Sequence, residues 1–212
     1  MIPNIHLLGI QGSGKGTQSA LLVDQYSASY IASGNLFRQR STVHDACGLR
    51  IKSLMRGGKL LPDDLVVSTV QEELVSHPPG HLLLCDGVIR TLEQLAMFDP
   101  IWQSNGLDEP TLIYLDLSET IARQRVAGRE AERHLPEKQA YHAKFSGKLI
   151  QREDDNPQAL DERFRLFRNM TEPIVNSFQK RGRLVTVPAN LPINEVHLQV
   201  CAAISTFYPS FV

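Results

Sequence analysis

The sequence predicts an α/β fold of three layers, in which a central parallel sheet lies between helices. Short apolar segments of strand character alternate with segments of helical periodicity, and this alternation is typical of βαβ units. The clearest strand segments are apolar throughout, as expected for strands that are covered on both faces. At 212 residues the chain is long enough for one well-buried core, so we expect a single domain over residues 1–212.

The predicted elements follow the chain in a regular order. Strands are expected at Ile5–Leu8, Tyr30–Ile31, His81–Cys85, Thr111–Leu117 and Arg183–Val187. Apolar residues at helical spacing predict helices at Thr17–Tyr26, Asp63–Ser76 and Ala159–Lys180. The last helix should bury an aromatic face, and Pro173 within it should produce a kink.

The composition narrows the class of protein. Its 22 basic and 23 acidic side chains leave a net charge of −1, which argues against a general nucleic-acid or membrane-surface binder. The three cysteines are far apart and lack CxxC spacing, so we expect buried thiols rather than disulfides or a zinc site. The first residues, MIPNIHLLGI, contain no basic leader, and the apolar run breaks at Gly9. We therefore expect a cytoplasmic protein.

A glycine-rich loop follows the first predicted strand. Gly9, Gly14 and Lys15 satisfy the pattern GxxxxGK, and a helix is predicted directly after them. Glycines let backbone N–H groups turn inward around a phosphate, the helix N-terminus adds positive potential, and the lysine reaches the outer phosphates. The loop predicts nucleotide binding and a P-loop NTPase-type fold, but it occurs in switches, motors and kinases alike.

Arginines are the next candidates for chemistry. Phosphoryl transfer depends mainly on alignment and on neutralising charge, and arginine binds phosphate oxygens in a fork while staying charged. For each arginine taken singly, a surface ion pair is the commoner explanation. The candidates are Arg38, Arg90, Arg125, Arg129, Arg152 and Arg163.

A polar segment interrupts the alternation of strands and helices. Residues 128–155 are charged and contain little that would pack in a core. Long exposed segments of this kind in compact domains often act as lids over a site.

Several motifs in a fixed order carry a resemblance. The stretches GxxGxGKGTQ, GGKLLPDDLV, DGxxRT and RxxGR…REDD run from the glycine loop almost to the last helix. In this order they resemble the adenylate kinase family of nucleoside monophosphate kinases. The resemblance implies transfer of the γ-phosphoryl group of Mg-ATP to AMP, giving two ADP, by a monomer with two mobile segments. Those segments are the nucleoside monophosphate (NMP)-binding residues 32–61 and a lid at residues 128–155.

The resemblance also implies residue roles. On the ATP side it implicates Gly12, Ser13, Gly14, Lys15, Gly16, Thr17, Arg125, Arg129 and Tyr141. On the AMP side it implicates Ser33, Gly34, Arg38, Lys59, Leu60, Leu61, Gly87, Arg90, Gln94, Arg152 and Arg163. Gln94 would read the adenine edge. The implied catalytic set is Lys15, Asp86, Arg90, Arg125, Arg129, Arg152 and Arg163.

Asp86 follows a predicted buried strand, close to the start of the glycine loop in a parallel sheet. An acidic side chain there can orient water bound to the Mg²⁺ that accompanies ATP, without being a direct ligand. The alternative role is that of a turn or helix-capping aspartate.

The sequence departs from the family pattern at several positions. Val88 and Ile89 stand where Phe-Pro is usual, Asn35 replaces an aspartate, and Gln11 replaces a frequent proline. The lid is shorter than the long type and lacks its four cysteines, so we expect no zinc. Two alternatives therefore stay open. The acceptor could be CMP, UMP, GMP or dAMP instead of AMP, or the protein could be a nucleotide sensor with little catalysis.

Overall fold

The computed structural model describes residues 2–132 and 157–211, and it describes no side chains at residues 129–132. Its centre is a five-stranded sheet of order β2-β3-β1-β4-β5 in which every pairing is parallel. The strands are β1 Asn4–Leu8, β2 Ser29–Ala32, β3 Leu83–Asp86, β4 Thr111–Asp116 and β5 Leu184–Pro188. The predicted α/β fold with a parallel sheet is confirmed.

Helices cover the sheet and differ from the predicted ones mainly at their ends. They are α1 Lys15–Tyr26, α2 Ser33–Arg40, α3 Ala46–Arg56, α4 Asp63–Leu74, α5 Leu92–Ser104, α6 Glu119–Glu132, α7 Pro157–Leu166, α8 Glu172–Lys180 and α9 Ile193–Phe207. Helix α1 begins at Lys15 rather than Thr17, directly after the glycine loop. Helix α4 ends at Leu74 rather than Ser76.

Strand β1 occupies the position on which the site depends. It pairs with β3 on one side and β4 on the other, with Leu7 opposite Asp86 and Leu8 opposite Tyr114. The connections after β1 and β3 therefore leave the same edge of the sheet in different directions. In open parallel sheets, ligands bind in the crevice at such a switch point.

Two apolar clusters cover the two faces of the sheet. One contains Ile5, Leu84 and Phe164, and the other contains Leu83 and Phe178, all of them fully buried. Burying a side chain of this size contributes roughly 1.5–3 kcal/mol. The aromatic face predicted for the last long helix is confirmed, and it fixes that helix against the sheet.

The long helix predicted at Ala159–Lys180 is interrupted. Helix α7 passes through a π-helical turn, Phe167–Thr171, before α8 begins. Within the turn, the Glu172 N–H donates to the carbonyl of Phe167, five residues back. Pro173 has no backbone N–H to donate, and the wider π turn lies just before it. The structure therefore has a π turn where the sequence predicted a kink.

The cysteines only partly match the expectation of burial. All three are free thiols, but Cys85 alone is buried, while Cys47 and Cys201 are partly exposed. Among residues 2–132 and 157–211, no helix is both long and apolar enough to cross a bilayer.

Strand β1 buries a histidine. His6 is 2% exposed, its Nε2 lies 3.0 Å from Asn4 Oδ1, and its ring meets Trp102 edge to face at 5.4 Å. Burial lowers the pKa of His6 to about 3, because the apolar surroundings disfavour the charged ring. The imidazole is therefore neutral in the folded protein at neutral pH.

We expect this histidine to make the fold sensitive to acid. Between pH 6.5 and about 3 the unfolded chain binds a proton at His6 that the folded chain excludes. The contribution of His6 to the free energy of unfolding is therefore complete above pH 6.5. Below pH 6.5 it decreases with decreasing pH, by up to about 1.4 kcal/mol per pH unit. Urea unfolding at pH 7, 6 and 5 should show a smaller pH dependence for His6→Leu. The exposed His44→Leu is the control, and an identical slope for His6→Leu and the wild type would contradict the assignment.

Candidate active site

The glycine loop between β1 and α1 forms a tight turn. The Ser13 N–H donates to the carbonyl of Ile10 at 3.0 Å, which places Gln11 and Gly12 at the two central positions. Gly12 has φ +92°, whereas Gln11 has a negative φ, a pattern typical of a type II turn. A Cβ at Gly12 would lie 2.8 Å from the carbonyl of Ala122 in α6. Glycine is therefore required here both by the backbone conformation and by the approach of α6.

Lys15 lies at the first position of α1 and folds back over the loop. Its Nζ donates to the carbonyls of Gly9 at 2.7 Å and Ile10 at 3.2 Å. The hydroxyl of Ser13 is buried and has no hydrogen-bond partner among the described residues. The first N–H groups of a helix also lack partners within the helix. Donors and positive potential thus converge at this point, and they suit a phosphate chain.

The backbone at Gly87, just after β3, links β1 to Ser33 and Arg90. Its N–H donates to the carbonyl of Leu7 in β1 at 3.2 Å. Its carbonyl accepts hydrogen bonds from Ser33 Oγ at 2.7 Å and from Arg90 Nε at 2.8 Å. With φ +62° and a hypothetical Cβ only 2.9 Å from Arg90 Nη2, the position favours glycine.

The Gln94 side chain is buried behind Arg90, with 1% of its surface exposed. Its Oε1 accepts the Arg90 N–H at 2.7 Å, and its Nε2 donates to Asp63 Oδ1 at 2.8 Å. Thr91 Oγ1 also donates to that carboxylate oxygen at 3.3 Å, and Thr171 Oγ1 donates to the Arg90 carbonyl at 3.1 Å. Gln94 is thereby held in one orientation, and Asp63 determines which way its amide points.

Arg38 lies in the last turn of α2. Its Nη2 donates to Asn35 Oδ1 at 2.5 Å, and its guanidinium lies over Gly34, 3.2 Å from where a Cβ would be. Asn35 therefore orients the arginine through a neutral oxygen, although it lacks the charge of the aspartate in the family pattern.

A cleft of about 320 Å³ opens beside these residues, lined by Leu54, Leu60, Leu61 and Met170, with Arg50 and Asp63 as its charged groups. Lys59 is exposed next to it. The departures Val88 and Ile89 are 1% and 2% exposed and pack in the core, so neither side chain offers a surface to a nucleotide base.

Asp86 lies at the end of β3, beside β1 and close to where the glycine loop begins. Its Oδ2 accepts a hydrogen bond from Tyr30 Oη at 3.2 Å. Among residues 2–132 and 157–211, no group of three His, Cys, Asp or Glu side chains could hold a metal ion. A single carboxylate beside a phosphate loop does fit Mg²⁺, which retains waters and takes phosphate oxygens as ligands. Burial, and to a smaller extent the Asp86 charge, raises the pKa of the Cys85 thiol.

Two of the remaining arginines are described on helices that approach the loop. Arg163 on α7 donates from Nη1 to Gln11 Oε1 at 2.7 Å. Arg125 is half-buried on α6, the helix whose Ala122 faces Gly12. The side chains of Arg129, Tyr141 and Arg152 lie outside the described residues.

Several residues of the site were not predicted as such. Asp63 and Thr91 lie within the motifs GGKLLPDDLV and DGxxRT, so the motifs already contained that signal. Gln11 was noted only as a departure. Nothing in the sequence indicated Tyr30 or Thr171, because their contacts to Asp86 and Arg90 join distant segments.

Known proteins are similar to this chain over the residues that form the site. The family model for adenylate kinase matches residues 7–183. The adenylate kinase of Nitrobacter winogradskyi is 33% identical over 190 residues, which cover 90% of this chain and 87% of that protein. The adenylate kinase of Bacillus pumilus is 30% identical over 207 residues, covering 93% of this chain and 95% of that protein. Because the similarity spans nearly the whole chain, including the glycine loop and Arg90, the chain belongs to the adenylate kinase family and is a nucleoside monophosphate kinase, a phosphotransferase.

Proposed function

We propose that the protein transfers the γ-phosphoryl group of Mg-ATP to AMP and releases two ADP. The observation that carries the proposal is the link through Gly87. Its N–H binds β1 just before the glycine loop, and its carbonyl binds Arg90. A group that holds the donor phosphates and a group suited to the acceptor phosphate are therefore anchored to one backbone turn.

On the donor side, the glycine loop would bind the phosphates of ATP. Backbone N–H groups from Gly12 to Thr17 would surround the β-phosphate, and Ser13 would supply a buried hydroxyl. Lys15 would exchange its two carbonyl contacts for phosphate oxygens and follow the transferred group. We include Arg125, Arg129 and Tyr141 on this side.

On the acceptor side, Arg38 and Arg90 would bind the phosphate of AMP. Each guanidinium donates to a neutral oxygen, Arg38 to Asn35 Oδ1 and Arg90 to the Gly87 carbonyl, and a guanidinium binds phosphate oxygens in a fork. The cleft beside Leu60 and Leu61 would take the base. Gln94 does not line it but is bonded to Asp63, which does, so reading of the adenine edge by Gln94 would require its amide to become accessible when AMP binds. Ser33, Gly34, Lys59 and Arg152 complete the proposed set.

The transfer itself requires little covalent chemistry from the protein. An oxygen of the acceptor phosphate attacks the γ-phosphorus in line, the bond to the β-phosphate oxygen breaks, and ADP leaves. The acceptor is already an anion, so no general base and no enzyme intermediate are needed. Arg163, with Arg125, Arg129 and Arg152, would reduce repulsion between the nucleotides and stabilise the charge of the transition state. Mg²⁺ would neutralise phosphate charge, with Asp86 orienting its bound water.

We also propose two moving segments in a single domain. Residues 32–61 would close over AMP, and residues 128–155, most of which lie outside the described part of the chain, would act as a zinc-free lid. Closure would exclude water, which competes with AMP for the phosphoryl group. We also propose that the protein is a cytoplasmic monomer that acts on free nucleotides, and its net charge of −1 argues against a general nucleic-acid or membrane-surface binder.

The first test is acceptor choice. Purified protein with Mg-ATP and, separately, AMP, dAMP, CMP, UMP or GMP should form diphosphate faster with AMP than with CMP, UMP or GMP, by more than about tenfold in kcat/KM, because the amide proposed to read the adenine edge is held in one orientation by Asp63. Chromatography of the nucleotides gives the rates. Faster transfer to CMP, UMP or GMP would contradict the adenine assignment, and faster transfer to dAMP would contradict AMP as the acceptor. ATP binding without any transfer would support a sensor instead.

The second test concerns Arg90. Arg90→Met should lower kcat/KM for AMP by about a thousandfold, because the acceptor phosphate loses a charged fork. Arg165→Met is the matched control, since that arginine is exposed and paired with Glu162, and it should stay within about twofold of the wild type. Both variants should keep the wild-type circular dichroism. A normal rate for Arg90→Met would remove this residue from the site.

The third test concerns the orientation of Gln94. Asp63→Ala should raise KM for AMP by about tenfold, because the Gln94 amide loses the carboxylate that orients it. The same substitution should reduce the preference for AMP over the other acceptors. Asp64→Ala removes an exposed carboxylate from the same first turn of α4 and controls for the helix dipole. Equal KM values in the two variants would show that Asp63 does not orient the base-reading amide.

A further inference from the structure

A buried threonine joins the end of the π turn to the acceptor side of the site. Thr171 is the last residue of that turn and is 4% exposed. Its Oγ1 donates to the main-chain carbonyl of Arg90 at 3.1 Å, between residues 81 positions apart in the sequence. The function proposed above gives a role to the Arg90 side chain and none to this threonine.

The hydroxyl of Thr171 is used differently from other hydroxyls on the helices. Thr69 and Thr206 each donate to the carbonyl four residues earlier in their own helix, at 2.8 and 2.9 Å. Such a local bond is common for a helical threonine. For Thr171 the carbonyl four residues earlier is that of Phe167, which accepts the Glu172 N–H. The Thr171 hydroxyl instead bonds to a distant segment of the chain.

That bond acts on the main chain at Arg90. The Arg90 N–H donates to Gln94 Oε1 at 2.7 Å, and the Arg90 carbonyl accepts from Thr171. Bonds on both sides of the Cα fix the direction in which the side chain leaves the backbone, whatever the guanidinium itself contacts. Because Thr171 is buried, water has little access to replace its hydroxyl if that group is removed.

We propose that Thr171 is a positioning residue, which holds the main chain at Arg90 so that the guanidinium is directed towards the acceptor phosphate. The proposal rests on the phosphotransfer function above. The same bond ties the segment that follows α7, the helix that carries Arg163, to the segment that carries Arg90. It therefore limits how far these two segments can separate.

Two substitutions at Thr171 separate its hydroxyl from its shape. Thr171→Val keeps the branched shape without the hydroxyl, and Thr171→Ser keeps the hydroxyl. We expect Thr171→Val to raise KM for AMP by about tenfold with KM for ATP within about twofold, because only the acceptor side loses a hydrogen bond. Thr171→Ser should stay within about threefold of the wild type in both values. An unchanged KM for AMP in Thr171→Val, or an equal rise in Thr171→Ser, would overturn the proposal.

Thr111→Val is the matched control for lost stability. Thr111 is fully buried at the start of β4, and its hydroxyl lies 3.2 Å from Tyr208 Oη, outside the proposed site. Both valine variants should unfold at a lower temperature than the wild type, but Thr111→Val should leave KM for AMP within about twofold. If Thr111→Val raises KM for AMP as much as Thr171→Val does, reduced stability explains the effect and the proposal fails.

Measurements without turnover distinguish this inference from the proposed function. Hydrogen exchange of the Arg90 N–H, relative to that of Leu84 in β3, should be about tenfold faster in Thr171→Val and unchanged in Thr111→Val. Equal relative exchange in Thr171→Val and the wild type would overturn the positioning role even if the enzyme is active. Calorimetric titration with AMP alone tests the function. A wild type that does not bind AMP would contradict phosphotransfer to AMP, while the exchange rates still decide whether Thr171 holds the Arg90 main chain.

Discussion

The site depends on one backbone constraint, the left-handed turn at Gly87 where β3 ends. Its N–H is bonded to Leu7, so the turn cannot move away from β1. Its carbonyl accepts hydrogen bonds from Ser33 at the start of α2 and from Arg90, three residues further along the chain. A side chain at this position would require an unfavourable φ and would press on the Arg90 guanidinium. The geometry of the acceptor side is therefore set by main-chain atoms, which move little when exposed side chains rearrange.

The sheet order explains why the donor side lies next to this turn. The carboxyl ends of parallel strands all lie at one edge of the sheet. At that edge the connection after β1 runs towards β2 and the connection after the neighbouring β3 runs in the opposite direction, towards β4. The glycine loop fills the crevice that results, and α6 closes it from the other side at Gly12. Two anions can be held close together there only if positive charge and N–H dipoles are fixed beforehand, since rearranging them during the reaction would cost much of the gain.

The fold class and the glycine loop could be predicted because both depend on residues that are close together in the sequence. Apolar strand segments and the GxxxxGK spacing need no knowledge of the rest of the chain. Contacts between distant residues left no such pattern. Thr171, the last residue of the π turn, donates to the Arg90 carbonyl, and Pro173 indicated a break in the helix but not the geometry of that break. The orientation of the Gln94 amide likewise follows from Asp63, a packing outcome that no spacing rule contains.

The acceptors that orient the site arginines follow a physical rule. Arg38 donates to the Asn35 amide, Arg163 to the Gln11 amide, and Arg90 to a backbone carbonyl. Four surface arginines donate to carboxylates instead, namely Arg40, Arg123, Arg165 and Arg181. A carboxylate forms an ion pair with the guanidinium and neutralises its charge, and a phosphate would then have to compete with that carboxylate for the guanidinium. A neutral oxygen fixes the direction of a guanidinium without itself neutralising the charge, so the contacts made by Asn35 and Gln11 are compatible with phosphate binding even though both residues depart from the family pattern.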